Sequence, residues 1–338
     1  METFRVTRLA PSPTGALHLG HARTFLITWW LARQMGAKIH MRMDDIDAIR
    51  AKPESVQQAY DDLRWLGIEW DAYTTNQTEV VQSNRNKLYF DALNKLWQTG
   101  AIYPCICKRA EIAASASAPH DGEGHPRYPG TCRERFDSIH AAIENVGEVA
   151  ARVFAAAGRW PCFRLRVAKG HVDFHDEFVG EQSLDVYAEA GDFPVTRFAE
   201  MTSEGLLIPP AYQLACVVDD HAMGVDCVIR GDDLLPSTPR QILVNRALDN
   251  AIPKFIHVPL VIGADGKRLA KRHGESRIAQ FREAGVSAER VVGWVAWRSG
   301  QIDHLREISA SEIVSTFELR KLPRKRLVLG PEDLAWLR

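Results

Sequence analysis

Two histidines near the start of the chain are spaced to bind phosphate. His18 and His21 flank Gly20 at the end of a proline- and glycine-rich turn. A strand-like run precedes the turn and an apolar, helix-like run follows it, so both rings lie where a helix begins. Such a start offers free N–H groups and a positive dipole end. We expect the imidazoles to donate to a bound triphosphate and Gly20 to let a flat base approach. The alternative is that the histidines only cap a turn.

A second charged stretch follows about 250 residues later. Residues 263–274 read GADGKRLAKRHG and place four Lys and Arg side chains in a glycine-bounded loop. Ordinary surface charge would explain such a loop. A mobile cationic lid would also explain it, because closing over phosphates stabilises the charge that builds up in a transition state.

Alternating strand-like and helix-like runs must position these two stretches. In the first hundred residues they predict a strand at 4–10, a helix at 22–33, a strand at 38–43 and helices at 55–67 and 83–99. This βαβα order predicts a parallel, doubly wound sheet. Such sheets bind ligands at the carboxyl ends of their strands, which is where His18 and His21 fall.

Residues 103–135 interrupt the rhythm with paired cysteines and a low-complexity loop. Strand-like runs follow at 162–167 and 172–175, the α/β rhythm returns near 212–218 and 226–230, and the chain is mainly helical from residue 263. We therefore predict an α/β fold in three parts. These are a Rossmann-type nucleotide-binding catalytic domain at 1–102 and 195–262, an insertion at 103–194, and a charged loop with a helical region at 263–338.

The two charged stretches resemble the signature motifs of class I aminoacyl-tRNA synthetases. Residues 11–21 are similar to the HIGH motif and residues 268–272 to the KMSKS loop. The sequences around Arg8, Arg42 and Val218 are similar to those of the glutamyl branch of that family. The resemblance extends from residue 5 to the C-terminus.

The resemblance implies activation of L-glutamate by ATP with Mg²⁺. The glutamate carboxylate is already ionised at neutral pH, so the attack on the α-phosphate needs no general base. Catalysis then consists of positioning and charge neutralisation by His18, His21 and Lys271, with Arg268 or Arg272 beside the lysine. The whole expected ATP site comprises Pro11, Ser12, His18, Gly20, His21, Arg268, Leu269, Ala270, Lys271 and Arg272. Ala270 stands where the family usually has Ser.

A glutamate substrate requires two cationic partners and one anionic partner. Arg8 and Arg230, at the ends of two predicted strands, are the candidates for carboxylate pairing, unless each is an ordinary surface ion pair. The resemblance implies that Asp44, where Glu is usual, takes the ammonium group and that Tyr212 adds a hydroxyl. The whole expected glutamate site comprises Arg8, Leu9, Ala10, Pro11, Ser12, Asp44, Tyr212 and Arg230.

The predicted insertion carries a possible metal site. In the glutamyl branch a similar arrangement binds structural Zn²⁺, and here it would use Cys105, Cys107, Tyr128 and Cys132. His120 and His125 compete with Tyr128 for the fourth position, because tyrosine is outside the usual zinc ligand set. The remaining cysteines, Cys162, Cys216 and Cys227, are expected in the core.

The length of the chain helps to predict which tRNA position accepts the glutamate. Glutamyl-tRNA synthetases continue into a helical anticodon-binding region at about the point where this chain stops, so we expect no such domain here. This resembles a truncated subfamily that activates glutamate without tRNA and transfers it to the queuosine base at the wobble position of tRNA(Asp). Two alternatives are a catalytic fragment that charges the 3′ end of tRNA(Glu) and a non-catalytic binding module. The helical region would contact a tRNA stem, with the basic cluster Arg320–Arg326 as the best candidate for backbone contact.

The bulk composition is that of an ordinary globular protein. The 338 residues are 46% hydrophobic and 25% charged, with a net charge of −1 that gives no overall basic field. No run approaches the ~20 apolar residues of a membrane span. The N-terminus lacks the layout of a secretory signal, and six cysteines are too few for a disulfide scaffold. We expect a cytoplasmic, monomeric protein with no membrane partner.

Overall fold

A computed structural model describes residues 3–46, 53–115, 127–140, 143–267, 269 and 276–337. Its strands are β1 (Val6–Leu9), β2 (Lys38–Met43), β3 (Glu79–Val81), β4 (Ile102–Cys105), β5 (Cys162–Leu165), β6 (Val172–Asp176), β7 (Gly180–Leu184), β8 (Glu200–Thr202), β9 (Gly205–Leu207), β10 (Cys227–Gly231), β11 (Lys254–Val258), β12 (Val261–Ile262) and β13 (Leu327–Val328).

The same described residues also form the α-helices. They are α1 (Leu19–Gln34), α2 (Pro53–Trp65), α3 (Asn86–Gln98), α4 (Arg109–Ser115), α5 (Asp137–His140), α6 (Val146–Ala157), α7 (Val186–Glu189), α8 (Tyr212–Ala222), α9 (Thr238–Leu248), α10 (Ile278–Glu283), α11 (Ala288–Arg298), α12 (Ala310–Val314) and α13 (Pro331–Trp336). Short 3₁₀ turns occupy Gln82–Arg85, Asp232–Ser237 and Leu319–Lys321.

The predicted parallel sheet is present and is built from two halves. Strands β1, β2 and β3 pair in parallel, in that order. Strands β10, β11 and β6 also pair in parallel, and β7 adds an antiparallel edge. Because β6 and β7 lie inside the predicted insertion and still extend this sheet, the domain boundary at residue 194 stays a proposal.

The two halves meet along β1 and β10. The backbone N–H of Asp226 donates to the Val6 carbonyl at 3.1 Å, and the Asp226 carboxylate accepts the N–H groups of Arg5 and Val6 at 3.0 and 2.8 Å. The Thr7 hydroxyl donates to the Cys227 carbonyl at 2.8 Å. The seam places β1, with its Arg8, beside β10, with its Arg230.

Helix α1 lies at the centre of the molecule. Most of its residues are buried, which agrees with a run that is apolar on nearly every face. It packs against β1, β2, β10, α11 and α12, so both the sheet and the C-terminal helices cover it. Arg23, also buried, donates to the Pro259 carbonyl and to the Ser299 hydroxyl. Helix α1 is therefore fixed between the sheet and the C-terminal part of the chain.

The described residues bury two apolar clusters. One gathers α1, β2 and the C-terminal helices, and the other gathers α3, the strands β4 and β5, and α6. In the second cluster β4 and β5 pair antiparallel, which departs from the parallel pattern of the sheet. No helix in the described part of the chain is long and apolar enough to cross a membrane.

Candidate active site

A cavity of about 480 Å³ opens at the carboxyl ends of β1, β2 and β10. Open parallel sheets bind ligands at this edge, so the cavity lies where the predicted fold places a ligand site. Most of the residues predicted for ATP and glutamate line it: Arg8, Ala10, Pro11, Ser12, His18, Gly20, His21, Asp44, Tyr212, Arg230 and Leu269. Leu9 does not line the cavity, because its side chain is fully buried in the apolar core.

His18 and His21 line the cavity side by side. Their rings stack with centroids 3.7 Å apart. The Nδ1 atom of His18 accepts the Gly20 N–H at 3.2 Å, and Nδ1 of His21 accepts the His18 N–H at 3.3 Å. A neutral imidazole that accepts at Nδ1 carries its proton on Nε2. Both rings can therefore present an Nε2–H donor at the start of α1.

Gly20 serves the histidine more directly than expected. A Cβ atom placed on it would lie 3.1 Å from two ring atoms of His18. That distance is tighter than ordinary contact, so a side chain here would require the His18 ring to shift by a few tenths of an ångström. We expected Gly20 to admit a flat base, and the close neighbour that the structure shows is the His18 ring itself.

The second charged motif is only partly described. Arg268, Ala270, Lys271 and Arg272 lie outside the described residues. On one side of this segment, Leu269 lines the cavity. On the other side, Arg277 forms an isolated β-bridge with His18, and the N–H of Ile278 donates to the Leu17 carbonyl at 3.0 Å. The described residues on either side of the loop therefore lie at the cavity, close to His18.

Arg8 and Asp44 meet through a buried ion-pair network. Arg42 donates to both carboxylate oxygens of Asp44, at 2.6 and 3.1 Å, and to Asp220 at 2.6 Å. Arg8 donates to the same Asp220 oxygen at 3.1 Å. The network fixes the shorter Asp44 side chain at the cavity wall. Neither Arg42 nor Asp220 was predicted as a site residue.

Burial and the nearby guanidinium charges act in opposite directions on the pKa values of Asp44 and Asp220. Burial raises the pKa of Asp44, and Arg42 only partly offsets this. Burial also acts on Asp220, but the guanidinium groups of Arg8 and Arg42 hold its pKa below the usual value. Asp220 is thus a firmly ionised partner of Arg8.

Arg230 has different surroundings. It lies near the end of β10 and is 5% exposed. Its Nε donates to His257 Nε2 at 3.0 Å, and its two terminal nitrogens donate to Gln241 Oε1 and Thr238 Oγ1, both at 2.8 Å. None of these three partners was predicted from the sequence. A signal was present for His257, because a histidine inside the apolar run of β11 is unusual for a buried strand.

The predicted metal ligands of the insertion lie together. The sulfur atoms of Cys105, Cys107 and Cys132 all lie within 4.8 Å of one another. The sulfur atoms of Cys107 and Cys132 are 3.5 Å apart, and the Tyr128 hydroxyl lies 3.3 Å from the Cys105 sulfur and 3.9 Å from the Cys107 sulfur. Two ligands held 2.3 Å from a tetrahedral zinc are separated by about 3.8 Å. The four side chains therefore fit a zinc ion.

Arg164 lies against this cluster. Its Nε donates to Cys105 Sγ at 3.2 Å, and its guanidinium lies 3.8 Å from the centre of the Tyr128 ring. Hydrogen bonds from Cys132 and Cys162, together with the Arg164 charge, lower the pKa of the Cys105 thiol. The competing ligands His120 and His125 lie outside the described residues. Cys162, Cys216 and Cys227 are buried, as predicted.

Known proteins match this chain over almost its full length. Residues 5–336 match the family of class I tRNA synthetases (E and Q), catalytic domain. A Glutamyl-Q tRNA(Asp) synthetase of Symbiobacterium thermophilum is 43% identical over 335 residues, covering 98% of this chain and 97% of the relative. A protein of the same name from Rhodopirellula baltica is 45% identical over 306 residues, covering 89% and 86%.

A solved structure supports the fold. It is a glutamate tRNA ligase of Elizabethkingia meningosepticum in complex with its amino acid, with a TM-score of 0.76 and 24% identity. The match covers 99% of this chain and 69% of that one. Together with the family match, it confirms the resemblance that the two charged motifs indicated. The chain is a ligase of the class I aminoacyl-tRNA synthetase family, in its glutamate and glutamine branch, and within that branch it belongs with the Glutamyl-Q tRNA(Asp) synthetases.

Proposed function

We propose that the protein activates glutamate with ATP in the absence of tRNA and transfers it to the queuosine base at the wobble position of tRNA(Asp). The observation that carries this proposal is the identity of 43–45% to two relatives of that name over most of both chains. The cavity adds independent support, because its lining combines two stacked imidazoles with two guanidinium groups.

In the activation step, a carboxylate oxygen of glutamate forms a bond to the α-phosphorus of ATP, and the bond to the pyrophosphate oxygen breaks. His18 and His21 would donate their Nε2–H groups to the triphosphate, and Lys271 would neutralise charge on the leaving pyrophosphate. Arg8 and Arg230 would hold the two carboxylates of glutamate, with Asp44 and Tyr212 at its ammonium group.

The insertion would hold one structural zinc ion. Cys105, Cys107, Tyr128 and Cys132 supply four protein ligands, which leaves no open position for chemistry. The ion would tie strand β4 to the turn that contains Tyr128 and Cys132. Arg164 would offset the negative charge of the thiolates and of the Tyr128 oxygen.

The acceptor is tested with labelled glutamate, ATP and purified tRNA(Asp) that either carries or lacks queuosine. We expect label on the queuosine-containing tRNA alone, released by mild base as an ester would be. Periodate oxidation of the terminal ribose, with the cyclopentenediol of queuosine protected, should leave the transfer intact. Label on the 3′ adenosine of tRNA(Glu) would support a fragment that charges tRNA(Glu). The absence of any glutamate-dependent ATP–pyrophosphate exchange would support a non-catalytic binding module.

A further inference from the structure

The hydrogen bonds of Arg230 distinguish it from Arg8. Arg8 pairs with the carboxylate of Asp220, whereas the three partners of Arg230 are an imidazole nitrogen, an amide oxygen and a hydroxyl oxygen. A guanidinium has five N–H donors, so these three bonds leave two of them. Among the described residues, Arg230 is therefore oriented without a direct counter-charge, and its charge and its remaining donors can serve a ligand in the cavity that it lines.

The hydrogen bond from Arg230 determines which nitrogen of His257 carries the proton. Arg230 Nε can only donate, so His257 Nε2 must be an unprotonated acceptor. The proton then belongs on Nδ1, which lies 2.6 Å from Asp176 Oδ2. Both His257 and Asp176 are fully buried. Burial lowers the pKa of His257, which keeps the ring neutral and Nε2 free to accept.

Asp176 is itself fixed by the backbone. Its Oδ1 accepts the N–H groups of Phe178 and Val179 at 3.0 and 2.8 Å, and its Oδ2 accepts the His257 N–H at 3.1 Å. These bonds hold the carboxylate at the junction of β6 and β11. The chain of contacts thus runs from the backbone through Asp176 and His257 to the Arg230 guanidinium.

We propose that His257 and Asp176 are positioning residues that hold Arg230 in the orientation needed to bind a carboxylate of the amino-acid substrate. The proposal rests on the proposed function, because it assigns the pair to glutamate recognition. Asp176 dictates the tautomer of His257, and the tautomer dictates that Arg230 is held by an uncharged acceptor. A carboxylate in place of the imidazole would pair with Arg230 and reduce its attraction for the substrate.

The tautomer is tested directly by ¹⁵N NMR of the full chain labelled at histidine, with His257 assigned by its absence in His257→Gln. We expect a ring protonated on Nδ1 and unprotonated on Nε2 at neutral pH. An Nε2-protonated ring or an imidazolium would overturn the proposal. This measurement does not depend on any enzymatic activity.

Two substitutions separate positioning from packing. Gln can place an amide oxygen near the position of Nε2 and so keep the acceptor for Arg230. Asn can keep only the contact with Asp176. In glutamate-dependent ATP–pyrophosphate exchange, we expect His257→Asn to raise the KM for glutamate about 10- to 100-fold. His257→Gln should stay within about threefold of the original protein, as should the control His175→Asn, which changes an exposed histidine. In all three variants the KM for ATP should change less than about twofold.

Equal losses in His257→Gln and His257→Asn would overturn the proposal, as would a parallel rise in the KM for ATP. Circular dichroism and thermal melting show whether each variant is folded. If the unsubstituted protein fails to activate glutamate, the proposed function fails, and the NMR result still decides whether His257 is arranged as an acceptor for Arg230.

Discussion

Arg8 and Arg230 look alike in the sequence, since each stands near the end of a strand and each suits a carboxylate. In the structure, Arg8 shares Asp220 with Arg42, whereas the hydrogen bonds of Arg230 to the described residues all go to uncharged acceptors. A substrate carboxylate would have to compete with Asp220 for Arg8. We therefore expect Arg230 to carry the larger share of carboxylate recognition.

The substitution Arg230→Leu tests this difference. It removes the guanidinium and would leave a buried substrate carboxylate unpaired, so we expect the KM for glutamate to rise at least about 10- to 100-fold. The KM for ATP should change less than about threefold. The measurement is ATP–pyrophosphate exchange over a range of glutamate concentrations. Arg152→Leu, in an exposed pair with Glu148, is the matched control. A shift of only about twofold in Arg230→Leu would equal the effect of a surface pair and contradict the assignment.

Residues that stand close together in a motif are the most direct to predict from the sequence. His18, Gly20 and His21 fall within four residues, so their shared position at a helix start follows from local pattern. The partners of Arg42 and Arg230 could not be predicted in this way. Arg42 reaches Asp220 across 178 residues of sequence, and Arg230 reaches His257 across 27. Only the strand order brings them together.

At the scale of elements, helices α2 and α10 meet at a buried carboxylate. Asp62 in α2 is fully buried, and within the described residues its closest cationic partner is Arg282 in α10, at 3.4 Å. Burial raises the pKa of Asp62 to about 6. Helix α10 begins shortly after the second charged motif, so this contact helps to anchor the chain beyond the loop.

We expect Asp62→Asn to change how the free energy of unfolding depends on pH. The folded pKa of about 6 lies above the unfolded value near 4, so the folded state favours the neutral carboxyl group. Stability contributed by that neutral form is present at low pH and is lost as pH rises through 4 to 6. The Asn variant stays neutral at every pH. Its free energy of unfolding relative to that of the original protein should therefore rise by about 1–2 kcal/mol from pH 4 to pH 7, with solvent screening allowed for.

Urea unfolding at pH 4 and pH 7 measures this gain. Asp91→Asn is the control, because Asp91 lies in an exposed ion pair with Lys87 on a different helix, α3. A relative stability of Asp62→Asn that is the same at both pH values would show that the Asp62 carboxyl group does not titrate in this window.

The cluster of Cys105, Cys107, Tyr128 and Cys132 belongs to the same scale, because it joins strand β4 to a turn. We expect purified protein to carry about one zinc per chain. Cys107→Ser should release it and lower the melting temperature, with a smaller loss of glutamate activation, since the cluster lies outside the cavity. Metal analysis by mass spectrometry checks this, with Cys227→Ala, a buried cysteine elsewhere in the chain, as control. Unsubstituted protein that contains no zinc would refute the site.

The elements near the N-terminus were predictable because their patterns are local. The strand predicted at 38–43 is β2, and the helix predicted at 22–33 is the central part of α1. The helix predicted at 83–99 differs in detail, since it starts as a 3₁₀ turn at Gln82–Arg85 before α3 begins. The participation of β6 and β7 in the large sheet was missed, because a strand's partner is set by tertiary packing.

At the scale of the whole molecule, the basic cluster Arg320–Arg326 is partly neutralised by distant and nearby acids. Arg320 and Lys321 both pair with Glu318, and Arg326 pairs with Asp232 beside the cavity. Arg324 lies over the Phe178 ring. Composition could not reveal these pairings. They leave Lys325, which is exposed, as the best remaining candidate to contact a tRNA phosphate.

We expect Lys325→Ala to weaken tRNA binding and to reduce its salt dependence. Removing one phosphate contact should lower the slope of log K against log salt concentration by about 1. Filter binding of queuosine-containing tRNA(Asp) at several salt concentrations gives this slope. Lys87→Ala, which removes an exposed charge paired with Asp91 on α3, should leave it unchanged. An unaltered slope in Lys325→Ala would place tRNA backbone contact elsewhere.

The contact between β1 and β10 also determines when the protein can fold during its synthesis. β1 hydrogen-bonds to residues about 220 positions later in the chain, through Asp226 and Cys227. At a synthesis rate of ~5–20 residues per second, a ribosome needs about 10 to 45 s to make that distance. Throughout this interval the edge of β1 has no native partner, and unpaired edges invite aggregation. During translation, therefore, the substrate cavity cannot close until more than two thirds of the chain has been made.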